Sequence, residues 1–120
     1  MVKVLIADDS PLIRSILKKI LSKNGFDIVG TAEDGDEAFA MYKDVSPDIV
    51  LLDITMPNID GITALKKIIE INPSANVIIC SSLGQQKMVS NAILIGAKDF
   101  IVKPFNRERV LESISKILKK

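Results

Sequence analysis

Short apolar runs alternate with amphipathic stretches along the whole chain. The runs have the character of strands that are buried within a sheet. They cover residues 2–7, 26–32, 49–53, 76–80 and 98–102. In the stretches between them, apolar residues recur at the spacing of a helix with one buried face. Five repeats of strand and helix predict a parallel sheet that is covered by helices on both faces.

Helix boundaries are marked by residues that cap free backbone groups. Ser10 followed by Pro11 predicts the start of the first helix. Asp34 and Glu37 have the spacing of a capping box, and Asn106 is placed to cap the last helix. The apolar stripe of the first helix, which we expect to face the sheet, consists of Leu12, Ile13, Ile16, Leu17, Ile20 and Leu21.

The composition excludes several classes of function. The 120 residues predict one domain, residues 1–120. Sixteen basic and fifteen acidic residues are interspersed, so neither a nucleic-acid surface nor a polybasic membrane patch is expected. The single cysteine, Cys80, excludes an internal disulfide, and the absence of histidine excludes chemistry that needs the chain's own imidazole. We find no signal peptide and no apolar run of membrane-spanning length, and therefore expect a soluble cytoplasmic domain.

Polar residues follow the ends of the predicted strands. Right-handed crossovers bring the carboxyl ends of parallel strands to one edge of the sheet, where ligands bind. We therefore expect a functional site at this edge, with Glu33 as a surface residue rather than a ligand. The residues at the strand ends are Asp8, Asp9, Glu33, Asp53, Ser81, Ser82 and Lys103.

The acidic residues of this edge predict a metal site that handles phosphate. Carboxylates that lie close together repel one another, and a divalent cation relieves the repulsion. Asp8, Asp9 and Asp53 offer only oxygen ligands, and a shallow site of that kind suits Mg²⁺. Lys103 and Ser81 suit the oxygens of a transferring phosphoryl group. A carboxylate can itself accept such a group, which makes Asp53 the predicted nucleophile.

The strand-end residues together resemble the receiver domains of two-component response regulators. The resemblance covers the whole chain and is greatest to the stand-alone chemotaxis members from Gram-positive and thermophilic bacteria. It implies a flavodoxin-like (βα)₅ three-layer sandwich with strand order 2-1-3-4-5. The matching motifs are Asp8-Asp9, Asp53-x-x-Met56-Pro57-x-x-Asp60-Gly61, Ser81 and Lys103-Pro104-Phe105.

The resemblance implies a role for each matched position. Asp53 would be the phosphoacceptor, and Ser81 would bind a phosphoryl oxygen. Lys103 would form an ion pair with the phosphoryl group and would precede a cis peptide bond to Pro104. The implied ligands of Mg²⁺ are Asp9 and Asp53 directly, Asp8 mainly through water, and Thr55 through its backbone carbonyl.

Other positions suggest a switch and an output surface. Phe100 stands where the family carries an aromatic residue that changes rotamer on activation, and Thr55 and Leu83 stand at two positions that tune the lifetime of the phosphate. On the helix of residues 85–95, Leu94 and Lys87 point away from the stripe that would face the sheet. We expect phosphorylation to move Phe100 inward and to open a contact surface that includes Leu94 and Lys87.

The implied partners are a sensor histidine kinase and a downstream protein such as a flagellar motor switch protein, with the chain itself a monomer and not an enzyme. A single-domain regulator of another phosphorelay, for example of the sporulation type, remains an alternative. A Mg²⁺-dependent phosphohydrolase is disfavoured because Thr55 stands where such enzymes carry a second acid. A flavin-binding protein is disfavoured because Asp8-Asp9 would repel an anion and the chain has no Trp.

Overall fold

The structure is a computed structural model that describes residues 1–56 and 60–118. Pro57, part of the motif after the third strand, lies outside the described residues, as do Lys119 and Lys120. Strands and helices alternate as predicted, with boundaries that differ by one or two residues. The elements are β1 Lys3–Ala7, α1 Pro11–Lys23, β2 Asp27–Ala32, α2 Gly35–Val45, β3 Ile49–Asp53, α3 Gly61–Ile71, β4 Val77–Ser82, α4 Gln86–Ile95, β5 Asp99–Lys103 and α5 Arg107–Leu118.

The five strands form one parallel sheet in the order β2-β1-β3-β4-β5. The predicted fold class and strand order are therefore confirmed. Every residue of β3, the central strand, is buried, which explains why its sequence is continuously apolar. The order places β1 and β4 on either side of β3, so the ends of these three strands are neighbours.

Two apolar layers hold the helices against the sheet. Alternate residues of each strand point to opposite faces, so Leu5 and Leu52 belong to one layer and Ile6 and Leu51 to the other. The first layer packs against α2, α3 and α4, and the second packs against α1 and α5. The molecule is thus a three-layer sandwich with an aliphatic core.

The predicted buried stripe of α1 is too wide. Leu17 and Leu21 are buried, but Leu12 is 68% exposed and Ile16 is 39% exposed. Leu12 lies five residues before Leu17, which places it about 140° around the helix and away from the sheet. The prediction that Leu12 and Ile16 face the core was therefore wrong.

Side-chain caps begin four of the helices, namely α1, α2, α3 and α5. Ser10 Oγ accepts a hydrogen bond from the Ile13 amide at 3.2 Å, and Asn106 Oδ1 accepts one from the Arg109 amide at 2.8 Å. At α2, Asp34 Oδ1 accepts from the Glu37 amide at 2.8 Å. Glu37 Oε1 in turn accepts from the Glu33 amide at 2.7 Å, one residue before this cap.

Candidate phosphoacceptor and metal site

The sheet brings the predicted site residues to one edge. Ala7 pairs with Leu52, so the residues that follow, Asp8 and Asp53, end neighbouring strands. Beyond them, Ser81 lies at the end of β4, and Lys103 ends β5. These residues are up to 95 positions apart in the sequence, and parallel pairing alone brings them together.

Three carboxylates meet at this edge. One oxygen from each of Asp8, Asp9 and Asp53 lies within 4.8 Å of the other two. Asp8 and Asp53 are only 1% and 4% exposed, whereas Asp9 is exposed to solvent. Oxygen donors at this spacing, with one side open, fit a hard divalent cation that retains several water ligands.

Lys103 lies between the two buried carboxylates. Its Nζ donates to Asp8 Oδ2 at 2.7 Å and lies 3.5 Å from Asp53 Oδ1. Burial lowers the pKa of Lys103, but the hydrogen bond to Asp8 and the charges of Asp53 and Asp8 raise it above its ordinary value. Lys103 is therefore protonated and partly neutralises the acidic cluster. Its peptide bond to Pro104 is cis, as expected.

Asp53 ionises with difficulty. Burial and the charge of Asp8 raise the pKa of Asp53 from 3.8 to about 6, although the charge of Lys103 and a hydrogen bond from the Thr55 amide oppose the change. The charge of Asp9 makes the smallest contribution to this pKa. At neutral pH Asp53 is mostly ionised, so its carboxylate is available as a ligand and as a nucleophile.

Gly61 allows α3 to approach the end of β3. A Cβ atom at this position would lie only 2.1 Å from the Asp53 carbonyl oxygen and 2.7 Å from Ile54 Cα. The Gly61 amide donates to the Ile54 carbonyl at 2.9 Å, and Asp60 caps the helix by accepting from the Thr63 amide at 2.9 Å. The start of α3 thus supports the backbone that carries Asp53.

Ser81 and Phe100 line the same small cavity. The cavity has a volume of about 70 Å³ and lies between the loop after β4 and the outer face of β5. Ser81 is buried, whereas Phe100 is 38% exposed. Leu83, also at this cavity, is 80% exposed. The ring of Phe100 therefore stands at the surface beside a cavity that leads toward Ser81.

The outer side of α4 is solvent-exposed. Leu94 is 85% exposed and lines a shallow groove of about 300 Å³ together with Lys87, Ser90 and Asn91. On the opposite side, Ala92 is buried against the sheet. The predicted direction of Leu94 is confirmed, while its role as an output residue remains a prediction.

Arg14 is a site-adjacent residue that sequence reasoning missed. Its Nη1 donates to the backbone carbonyl of Asp8 at 2.6 Å, and its Nη2 lies 3.9 Å from the Glu33 carboxylate. Glu33 is exposed at the rim, as expected for a surface residue. The signal for this contact in the sequence was weak, because a basic residue in the first turns of a helix is common. Its position above the preceding strand end could have suggested this contact.

Two further features concern the rest of the molecule. Cys80 is fully covered, and burial raises the pKa of its thiol to about 12, which suits an inert core residue. Across residues 1–56 and 60–118, none of the helices has the length and apolar character needed to span a bilayer.

Residues 4–115 match the family model of the response regulator receiver domain. The chain belongs to this family. Its likeness extends over nearly the whole length of the relatives described next. It is 56% identical to the chemotaxis protein CheY of Bacillus subtilis over 116 residues, which cover 97% of each chain. It is 51% identical to the CheY of Thermotoga maritima, with 98% of each chain covered.

Solved structures of receiver domains share the same architecture. A CheX–CheY–BeF₃–Mg²⁺ complex from Borrelia burgdorferi contains a chain that is 45% identical to this one, with a TM-score of 0.95. The match covers 99% of this chain and 90% of the other. The protein is therefore a receiver domain, a phosphorylation-activated signalling module of the response regulator family and a homologue of CheY.

Proposed function

We propose that residues 1–120 form a single receiver domain that accepts a phosphoryl group on Asp53 and acts in chemotaxis. The observation that carries this proposal is the surroundings of Asp53. Its buried carboxylate lies 3.5 Å from the Lys103 ammonium, and oxygens of Asp8 and Asp9 lie within 4.8 Å. A nucleophile, a cation for the phosphoryl oxygens and a set of hard metal ligands thus share one pocket.

The proposed phosphoryl donor is a histidine kinase of the chemotaxis type, since this chain has no histidine of its own. An oxygen of Asp53 attacks the phosphorus atom of the donor's phosphohistidine, and the phosphorus–nitrogen bond breaks. The bonding electrons return to the imidazole, which takes up a proton, and Asp53 becomes an acyl phosphate. Placement and charge supply most of the catalysis in such a transfer.

The residues present fit Mg²⁺. We assign Asp9 and Asp53 as direct ligands, Asp8 as a ligand mainly through water, and Thr55 as a ligand through its carbonyl oxygen. When bound, the ion would neutralise the carboxylates and the oxygens of the phosphoryl group. Lys103, whose ammonium group donates to Asp8 at 2.7 Å and lies 3.5 Å from Asp53 Oδ1, would form an ion pair with a phosphoryl oxygen. Ser81, at the end of β4, would donate its hydroxyl to another.

We propose that the signal leaves through the surface formed by α4 and β5. Once Ser81 moves to bind the phosphoryl group, the cavity beside it gives Phe100 an inward route. Inward movement would uncover the backbone beside α4, where Leu94 and Lys87 are exposed. The partner would be a flagellar motor switch protein in the cytoplasm, and the receiver domain would act as a monomer. Thr55 and Leu83, both exposed near Asp53 and Ser81, would control the access of water to the acyl phosphate.

Acetyl phosphate with Mg²⁺ tests the acceptor. Intact-protein mass spectrometry should show one added phosphoryl group on the wild-type protein and none on Asp53→Asn. Asp44→Asn is a matched control because Asp44 is exposed near the end of α2, outside the acidic cluster. Equal labelling of Asp53→Asn and the control would refute the assignment. Transfer from a phosphorylated chemotaxis kinase, but not from an unrelated kinase, would test the pathway.

A further inference from the structure

Arg14 connects the loop after β1 to the loop after β2. Its guanidinium donates to the Asp8 carbonyl at 2.6 Å through Nη1, while Nη2 lies 3.9 Å from Glu33. The Arg14 side chain is only 17% exposed, although the carboxylate of Glu33 is largely in solvent. The proposed transfer assigns no step to Arg14, yet its short contact falls on the peptide group that joins two metal ligands.

Asp8 is held on several sides. Its amide donates to the Ala32 carbonyl at 3.0 Å. Its two carboxylate oxygens accept from the Ser10 amide at 2.9 Å and from Lys103 Nζ at 2.7 Å. The Asp8 side chain would therefore keep its place even if the Arg14 contact were lost.

Asp9 is held differently. Its carboxylate is exposed and makes no hydrogen bond or ion pair with any residue in 1–56 or 60–118. Among the residues that the structure describes, therefore, only the backbone fixes the direction in which the Cα–Cβ bond of Asp9 points. The plane of the peptide that precedes Asp9 is set at one end by the Asp8 carbonyl, which Arg14 holds.

We propose that Arg14 is a positioning residue for the metal site, which orients the Asp8–Asp9 peptide so that the Asp9 carboxylate points toward Asp53. This inference rests on the proposed Mg²⁺ site and adds a residue outside the set of ligands. Groups that orient ligands typically change metal affinity by about 10- to 100-fold when they are removed. Because Arg14 acts through the backbone, we expect the lower end of that range.

The direction of the change in Mg²⁺ affinity distinguishes a positioning role of Arg14 from a purely electrostatic one. Removing a positive charge near three carboxylates should tighten Mg²⁺ binding if only electrostatics mattered. Loss of the correct Asp9 geometry should weaken it. Arg14→Gln should therefore change the Mg²⁺ affinity in opposite directions under the two explanations. Arg14→Lys tests the positioning role by itself, because lysine keeps the positive charge but lacks the planar guanidinium with its several N–H donors.

The experiment measures Mg²⁺ binding to full-length metal-free protein by calorimetry, together with amide NMR spectra of Asp8, Asp9 and Ser10. We expect Arg14→Gln to weaken Mg²⁺ binding by about tenfold, and Arg14→Lys to weaken it by about threefold. Both should shift or broaden the three amide signals before any metal is added. Lys18→Gln is the matched control, since Lys18 is exposed one turn further along α1. It should change neither measurement.

Unchanged or tighter binding by Arg14→Gln would overturn the inference, as would weaker binding with undisturbed amide signals. If Arg14→Gln unfolds, Arg14→Lys decides the question, and an affinity equal to wild type would reject positioning. Failure of the wild-type protein to bind Mg²⁺ would instead contradict the proposed metal site, so the two failures can be distinguished.

Discussion

Replacing Asp53 by Asn should stabilise the metal-free protein, and the gain should grow with pH. The folded-state pKa of Asp53 is about 6, compared with an ordinary value of 3.8. The folded protein therefore holds a proton that the unfolded chain has already lost between these values. Its stability therefore falls as the pH rises from 3.8 to about 6 and levels off above 6, because the unfolded chain releases this proton more easily than the folded protein does. Asparagine has the same shape and never carries this charge.

The expected magnitude follows from that difference in pKa. About two pH units, at 1.36 kcal/mol each, correspond to about 3 kcal/mol of lost stability well above pH 6. At pH 5 the same relation gives about half of this loss, because the unfolded and folded states have differed in proton binding over only part of the interval between their pKa values. Loss of the attraction between Asp53 and Lys103 will reduce these gains. We therefore expect Asp53→Asn to be more stable than wild type by about 2–3 kcal/mol at pH 7.5 and by about half as much at pH 5.

Urea denaturation at both pH values, without divalent cations, measures this gain. The exposed Asp44→Asn should match wild type throughout. Added Mg²⁺ should narrow the gap at pH 7.5, since it binds the native wild-type site and not the variant. Equal stability of Asp53→Asn and wild type at pH 7.5, or a gap that is the same at both pH values, would refute the reasoning about Asp53.

Three further substitutions test other parts of the site. Asp9→Ala should weaken Mg²⁺ binding by more than tenfold in calorimetry but leave metal-free stability nearly unchanged, because Asp9 is exposed; similar affinity would contradict its role as a ligand. Gly61→Ala should cost about 1–3 kcal/mol in urea denaturation, since its Cβ would overlap the Asp53 carbonyl, and an unchanged midpoint would contradict that contact. Leu94→Asp should preserve Asp53 phosphorylation but weaken target binding in a pull-down; undiminished binding would place the output surface elsewhere.

Sequence patterns predicted the fold well because each local signal agreed with the global arrangement. Continuous apolar runs marked the buried strands, and Ser10, Asp34 and Asn106 marked helix starts that the structure confirms. Since parallel strands end at one edge, the residues of the site could also be predicted. Their convergence depended only on the topology of the sheet.

Contacts that depend on how the helices and strands pack together could not be predicted from the sequence. The spacing of Leu12 and Ile16 resembles that of core residues, but only the part of α1 around Leu17 and Leu21 faces the sheet. The preference of Lys103 for Asp8 over Asp53 depends on differences of less than one ångström. The contact from Arg14 is made to the backbone carbonyl of Asp8, which every residue type carries, so the identity of the residues gave only a weak signal for it.

Because Asp8, Asp53, Ser81 and Lys103 lie at or near the ends of four different strands, the site is complete only when the whole sheet has formed. A partly folded molecule in which β5 has separated keeps Asp53 but lacks Lys103 beside it. Such a molecule would present a carboxylate without the cation that accompanies phosphoryl transfer. Under the proposed function, competence of Asp53 to be phosphorylated would therefore be a property of the completed sheet. In a cell, newly made or damaged copies of this receiver would not be phosphorylated, and no separate inhibitor would be needed to prevent it.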